Sequence, residues 1–153
     1  MRIKEVALAS ILLLADLGFV VAQPGFPVDK SYKAISISGF DVQNKGLSLT
    51  VTKTSNGDLR GAGNAGCNNW SAGVILRDDQ IDFTEIVTTR KMCGKPVMTA
   101  EDAFLTSLRS AKRWHIDADK LIIEGDAARL LLKPGVADLK IEKAPPKRMH
   151  PAR

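Results

Sequence analysis

The sequence predicts an α+β fold in which six to eight short strands form an antiparallel sheet and one helix covers a face or an end of it. Three observations favour this class. Short segments of alternating apolar and polar residues recur along the chain, turn-forming residues separate them, and one late segment has helical periodicity. The 153 residues, 44% of them hydrophobic, suffice for one domain with a core and short tails.

The first 22 residues have the three parts of a secretory signal peptide. Arg2 and Lys4 precede a nearly continuous apolar run over residues 6–15, and Ala22 then supplies the small residue that signal peptidase reads. The alternative is an uncleaved membrane anchor, but a spanning helix needs about 20 apolar residues and Asp16 interrupts this stretch. We therefore expect cleavage after Ala22, no membrane span afterwards, and a periplasmic or secreted protein.

The mature chain is expected to begin with an extended lead-in over residues 23–31, which is rich in Pro and Gly. An imperfect alternation over residues 32–38 predicts a first strand, and a regular alternation over residues 47–53 predicts a second. The Asn-Gly-Asp sequence at residues 56–58 predicts a tight turn, and therefore a hairpin into the next segment.

The middle of the chain is less regular. Residues 59–69 are rich in Gly, Ala and Asn, and short strands are predicted over residues 73–77 and 80–86, with an Asp-Asp turn between them. Residues 87–93 are expected to be irregular or an edge strand, and Pro96 is expected to break the chain.

A helix is predicted over residues 100–113. Phe104, Leu105 and Leu108 fall on one apolar stripe, Thr99 is placed to cap the N-terminus, and basic residues gather at the C-terminal end, where the helix dipole favours them.

Three more strands are predicted over residues 114–117, 120–124 and 128–132. Residues 134–153 form a Pro-containing tail that concentrates the excess positive charge of the chain, which is +5 overall. Such a tail could contact nucleic acid or anionic lipid, but its composition favours a solvated end. Aromatic residues make up only 5% of the chain, which argues against a base-stacking platform and specific nucleic-acid binding.

The chain has two cysteines, Cys67 and Cys93, both in the mature part. An even number in an oxidising compartment makes a disulfide the default expectation, and this bridge would close a loop of about 27 residues. The alternative is a pair of buried free thiols.

The remaining motifs predict no catalytic residue, no metal site and no cofactor. Residues 61–66 fit G-x-G-x-x-G but run into a segment without helical periodicity, so the glycines indicate backbone strain or close strand packing instead of nucleotide binding. His115 and His150 are the only histidines, too few for a zinc site or a catalytic triad. Trp70 and Trp114 are expected in the core; exposed, either would indicate a binding surface.

Several of these segments together resemble the META domain family, to which the bacterial heat-shock protein HslJ belongs. Residues 61–69, followed by a glycine at position 73, are similar to the family's Gly-Cys-Asn motif, and residues 88–93 are similar to its Thr-to-Cys segment. The resemblance spans residues 32–133. The positions that carry it are Gly66, Cys67, Asn68, Gly73, Thr89, Cys93, Glu101, Phe104, Leu108 and Trp114.

The resemblance implies a curved antiparallel sheet or partial barrel packed on one helix. It implies no established enzymatic activity and a general link to stress and envelope integrity. It also places the Gly-Cys-Asn segment and Cys93 near each other, in agreement with a disulfide. Tyr32 stands where the family often has Trp, and no cysteine follows the cleavage region, in contrast to the lipoproteins among the relatives.

We therefore expect an exported, non-catalytic protein with a binding or stability role in the cell envelope or the stress response. Its partner would be a protein or a small apolar ligand. Two alternatives stay open at this point. One is a thiol- or disulfide-responsive module, which would need an accessible cysteine of lowered pKa. The other is an enzyme or small-ligand carrier that uses the concave sheet as a cup, which would need a deep pocket with polar groups.

Overall fold

Strands form wherever alternate side chains can turn to one side of a sheet and be buried there. The computed structural model describes residues 25–135, so the predicted signal peptide (residues 1–22) and all of the predicted tail beyond residue 135 lie outside the described residues. The strands in the described part are β1 (Ser31–Ile37), β2 (Phe40–Asp41), β3 (Ser48–Lys53), β4 (Leu59–Asn64), β5 (Asn69–Arg77), β6 (Gln80–Thr88), β7 (Ala111–Asp117), β8 (Lys120–Gly125) and β9 (Arg129–Pro134). A short 3₁₀ helix, Gln43–Lys45, precedes β3, and the α-helix α1 is Lys95–Arg109.

The sheet closes into an eight-stranded antiparallel barrel. The strand order is β1-β3-β4-β5-β6-β7-β8-β9, and β9 pairs back onto β1 from Tyr32↔Pro134 to Ile37↔Leu130. β2 pairs only with the end of β1, as the second arm of a small hairpin. The prediction of an α+β fold with a curved antiparallel sheet is confirmed, and the partial barrel is corrected to a closed one. Closure removes the sheet edges that an open sheet would expose.

The interior of the barrel is filled by inward-facing side chains. Trp70 makes edge-to-face contacts with Phe83 and with Phe104, at ring-centroid distances of 6.0 Å in both pairs. α1 connects β6 to β7 at one end of the barrel. Its buried side chains pack against this core, and Phe104 and Leu108 are fully buried. At the other end Phe26 packs edge-to-face on Trp114, at 5.0 Å. The prediction that both tryptophans lie in the core is confirmed.

The start of α1 differs from the prediction. The helix begins at Lys95, and Pro96 lies in its first turn, where a missing backbone N–H costs no helical hydrogen bond. Pro96 therefore starts the helix instead of breaking the chain. Thr99 is not the cap: its hydroxyl donates to the carbonyl of Lys95 at 3.0 Å, and Gly94 occupies the capping position.

The end of the helix also differs. α1 stops at Arg109, and β7 begins at Ala111, so Arg113 is a strand residue and not part of the last helical turn. β2 was not predicted, and the Gly-rich β4 was expected only as the second arm of a hairpin, without bounds of its own. β4 completes the hairpin with β3 that the Asn-Gly turn predicts.

Candidate functional site

The residues of the Gly-Cys-Asn motif meet the helix at the end of the barrel that α1 covers. Gly66, Cys67 and Asn68 form the loop between β4 and β5, whereas Cys93 and Glu101 lie just before and within α1. Cys67 and Cys93 form a disulfide with a Cα–Cα distance of 5.9 Å, which decides between the bridge and free thiols. We call the following set the motif cluster: Gly66, Cys67, Asn68, Thr89, Cys93 and Glu101.

Glu101 is the centre of the motif cluster. Its carboxylate is buried, with the residue 6% exposed. One oxygen, Oε2, accepts hydrogen bonds from the backbone N–H groups of Asn68 at 2.7 Å and Cys67 at 3.2 Å. The other, Oε1, accepts from the Asn68 side-chain amide at 2.8 Å. A carboxylate with three N–H donors is a strong way to fix a loop, because hydrogen bonds to a charged group are worth about 1.5–3 kcal/mol each.

Asn68 uses the rest of its hydrogen-bonding capacity on the segment that follows β6. Its Oδ1 accepts from the Thr89 hydroxyl at 2.8 Å and from the Lys91 backbone N–H at 2.7 Å, and its Nδ2 also donates to the Lys91 carbonyl at 3.3 Å. An asparagine amide offers two donor hydrogens and one carbonyl oxygen, and all are engaged here. The motif cluster thus joins loop, strand end and helix through internal contacts.

The other positions of the resemblance lie in the core or against a neighbouring strand. Phe104, Leu108 and Trp114 are buried. Gly73 in β5 faces Thr84 of β6, whose hydroxyl oxygen would lie 2.6 Å from a Cβ at position 73.

The G-x-G-x-x-G sequence has a packing role. Gly63 in β4 lies so close to the backbone of Ser48 that a Cβ would overlap its carbonyl oxygen. Gly66 has φ of +109°, a conformation that residues with a Cβ rarely adopt. The Asn64 side chain accepts a hydrogen bond from the Gly66 N–H at 2.7 Å and so holds this turn in place. The sequence indicated strain or close packing for these glycines, and both are present.

A surface cleft opens at the C-terminal end of α1, where β6 and β7 separate. These two strands pair only at Gln80↔Arg113, because the chain leaves β6 to form α1 and returns at Ala111. The resulting cleft, which we call the β6–β7 cleft, has a volume of about 730 Å³ and lies outside the barrel. This volume is in the range of pockets that hold small molecules.

The walls of the β6–β7 cleft are strongly charged. Its cations are Arg77, Arg109, Lys112 and Arg113, and its carboxylates are Asp79, Asp82 and Asp126. Lys112 and Asp126 form an ion pair with each other. The sequence did not predict this site, because the expected helix extended to Arg113, which instead lies in β7. The signal present in the sequence is Arg77 next to the Asp-Asp turn.

Two further observations concern residues 25–135. Over this part of the chain, no cluster of three or more His, Cys, Asp or Glu side chains is arranged to hold a metal ion. None of the helices described there is long and apolar enough to cross a membrane.

Fold and motif cluster define a class of protein: a closed antiparallel barrel covered at one end by a helix, with a disulfide and a buried Asn–Glu pair joining the two. The family model of the META domain matches residues 27–136, more than half of the chain. The protein therefore belongs to the META domain family.

Solved structures agree with this fold. The chain is similar to one titled "NMR structure of the protein from Burkholderia xenovorans", with a TM-score of 0.59 and 22% identity over 71% of this chain and 83% of that one. A second, titled "NMR structure of the protein", has a TM-score of 0.53 and 18% identity over 68% and 87% of the two chains. A search of curated proteins found no significant match.

Proposed function

We propose that this protein is an exported, non-catalytic member of the META domain family that binds a partner or ligand at its outer surface, with a role in the cell envelope or the stress response. One observation carries the proposal. Asn68 and Glu101 direct their hydrogen bonds to each other and to nearby backbone, so they hold a loop on a helix and have little capacity left for a substrate.

The outer surface is a better candidate for binding than the interior. A carrier that uses the concave side of the sheet as a cup would need the space that Trp70, Phe83 and Phe104 occupy. The β6–β7 cleft lies outside the barrel, and its charged walls favour a polar ligand over an apolar one.

The disulfide supports export together with the predicted signal peptide, since disulfides persist mainly in oxidising compartments. A protein outside the cytoplasm meets heat, acid and proteases with little help from cytoplasmic chaperones. A bridge that ties the start of α1 to the barrel suits that setting.

A deletion strain of the source organism tests this proposal. Growth is measured under heat and under envelope-active detergent, and the strain is complemented either with the full chain or with a chain that starts at residue 23 after an initiator Met. We expect sensitivity in the deletion strain and rescue by the exported form alone. Rescue by the form without residues 2–22, or a deletion strain with no sensitivity, would contradict the proposal.

A second candidate function is a response to thiol redox state, which the exposure of Cys93 favours. Cys67 is buried, but Cys93 is exposed, so a reductant can approach the bridge from one side. Equilibration in glutathione buffers, with free thiols read by alkylation, separates the two candidates. A reduction potential of the Cys67–Cys93 bridge of about −200 mV would support a switch, whereas a potential below about −300 mV is typical of a structural disulfide.

A further inference from the structure

Two arginines flank a glutamine in one row across three strands of the barrel. Arg77 of β5 is directly opposite Gln80 of β6, and Gln80 is directly opposite Arg113 of β7. Directly opposed residues of an antiparallel sheet point to the same face, and all three are exposed on the outside. Neighbouring strands are about 4.8 Å apart, so the two arginine backbones are separated by roughly 10 Å. Both side chains can therefore reach a group held above Gln80.

Within the part of the chain that the structure describes, the arginines of the cleft have no ion-pair partner. None of the three ion pairs found within residues 25–135 includes Arg77, Arg109 or Arg113. Glu124 of β8 lies directly opposite Arg113 in the same row. Its carboxylate forms an ion pair with Arg129 instead, at 3.2 Å. Three guanidinium groups of the cleft thus have no ion-pair partner among residues 25–135.

We propose that the β6–β7 cleft binds the phosphate, sulfate or carboxylate group of a small ligand, held between Arg77 and Arg113 above the Gln80 amide. The planar fork of arginine matches the oxygens of these groups, and Gln80 adds a neutral N–H donor. Arg109 approaches the same cleft from the end of α1. This inference rests on the proposed function, because it gives the ligand chemistry of the surface assigned there to binding.

The carboxylates in the cleft limit the ligand further. Asp126 is paired with Lys112, which leaves Asp79 and Asp82 to face the ligand. They repel a densely charged polyanion such as a nucleic-acid backbone. They favour a compact molecule that has one anionic group and a polar or cationic remainder, of a size that the cleft can hold.

The test is a titration of the ¹⁵N-labelled protein, purified as its cells produce it, with inorganic phosphate, sulfate and acetate at constant ionic strength. We expect saturable shifts of the Gln80 side-chain amide, with dissociation constants of about 1–10 mM for these fragments. R77Q and R113Q are each expected to weaken binding about tenfold, because each removes a charge-assisted contact. The matched control is R60Q, an exposed strand arginine of β4 outside the cleft.

The preferred anion identifies the source of the ligand group, a phosphate ester, a sulfate ester or a carboxylic acid, and any of the three supports the proposal. Shifts that do not saturate, or an R60Q variant that weakens binding as much as R77Q, would overturn it. Amide spectra of each variant without anion show whether it is folded. Failure here leaves the deletion-strain experiment unaffected, so the ligand chemistry and the proposed function can fail separately.

Discussion

Replacing Glu101 by Gln isolates the contribution of the buried carboxylate to the joint between loop and helix. The side chain keeps its size, but one acceptor oxygen becomes an NH₂ donor. If the new nitrogen takes the place of Oε1, it faces the Asn68 Nδ2 donor; if it takes the place of Oε2, it faces the backbone N–H groups of Cys67 and Asn68. Rotation of the Asn68 amide does not help, because its Oδ1 accepts from Thr89 and Lys91.

The expected loss of stability in the Glu101→Gln variant follows from these contacts. At least one buried N–H group loses its acceptor, which costs about 1–3 kcal/mol, and the remaining bonds lose the assistance of the charge. We expect the Glu101→Gln variant to lose about 2–4 kcal/mol of unfolding free energy. Glu101→Ala should lose more, since all three donors then lack a partner.

The assay is urea unfolding followed by tryptophan fluorescence under non-reducing conditions, so that the disulfide stays intact in every variant. Asp102→Asn is the matched control, because Asp102 is the next residue of the same helix but is exposed. It should change stability by less than about 0.5 kcal/mol. If Glu101→Gln changed stability as little as Asp102→Asn, the carboxylate would not hold the loop, and the structural reading of the motif cluster would be wrong.

Three further predictions follow from single observations. Cys67→Ser should lose about 3 kcal/mol under non-reducing conditions, since the bridge closes a loop of about 27 residues; an unchanged midpoint would count against that contribution. Gly63→Ala should lose more than about 2 kcal/mol in the same urea assay, because its Cβ overlaps the Ser48 carbonyl; Gly25→Ala, with nothing within 4 Å of the added Cβ, should be neutral. Burial, with a smaller effect of the Asp119 carboxylate, raises the pKa of Tyr32 above its usual value of 10.0. The folded state then holds the phenolic proton more tightly than the unfolded state, so stability should fall as pH rises above about 10. Tyr32→Phe should show a smaller decline, and the same decline in both proteins would contradict the assignment.

Much of the barrel can be predicted from local patterns, because a strand with one buried face alternates visibly in sequence. The regular alternation over residues 47–53 corresponds to β3, in which Leu49 and Val51 are buried. β4 has no such pattern, since glycines at positions 61 and 63 leave room for neighbouring atoms instead of packing side chains of their own. Closure depends on β1 meeting β9, about 100 residues later, and no local pattern encodes that pairing.

The candidate functional site, like the barrel, could be predicted from the sequence only in part. The resemblance to the META domain marks both Asn68 and Glu101, but their 33-residue separation hides the contact between them from any local pattern. The β6–β7 cleft depends on where a helix ends. Basic residues after Leu108 are as compatible with the last turn of a helix as with the first residues of a strand. In the structure the chain is already a strand there, since Gly125 of β8 lies against the Ser110 backbone and β7 pairs with β8 from Ala111 onward.

The intact mass of the protein from its native compartment, alkylated with and without prior reduction, tests the account most directly. The account predicts a chain that begins at Gln23 and takes up alkylating reagent only after reduction, because Cys67 and Cys93 are bridged. A chain that keeps residues 1–22, or thiols that alkylate without reduction, would contradict an exported barrel tied to its helix by a disulfide.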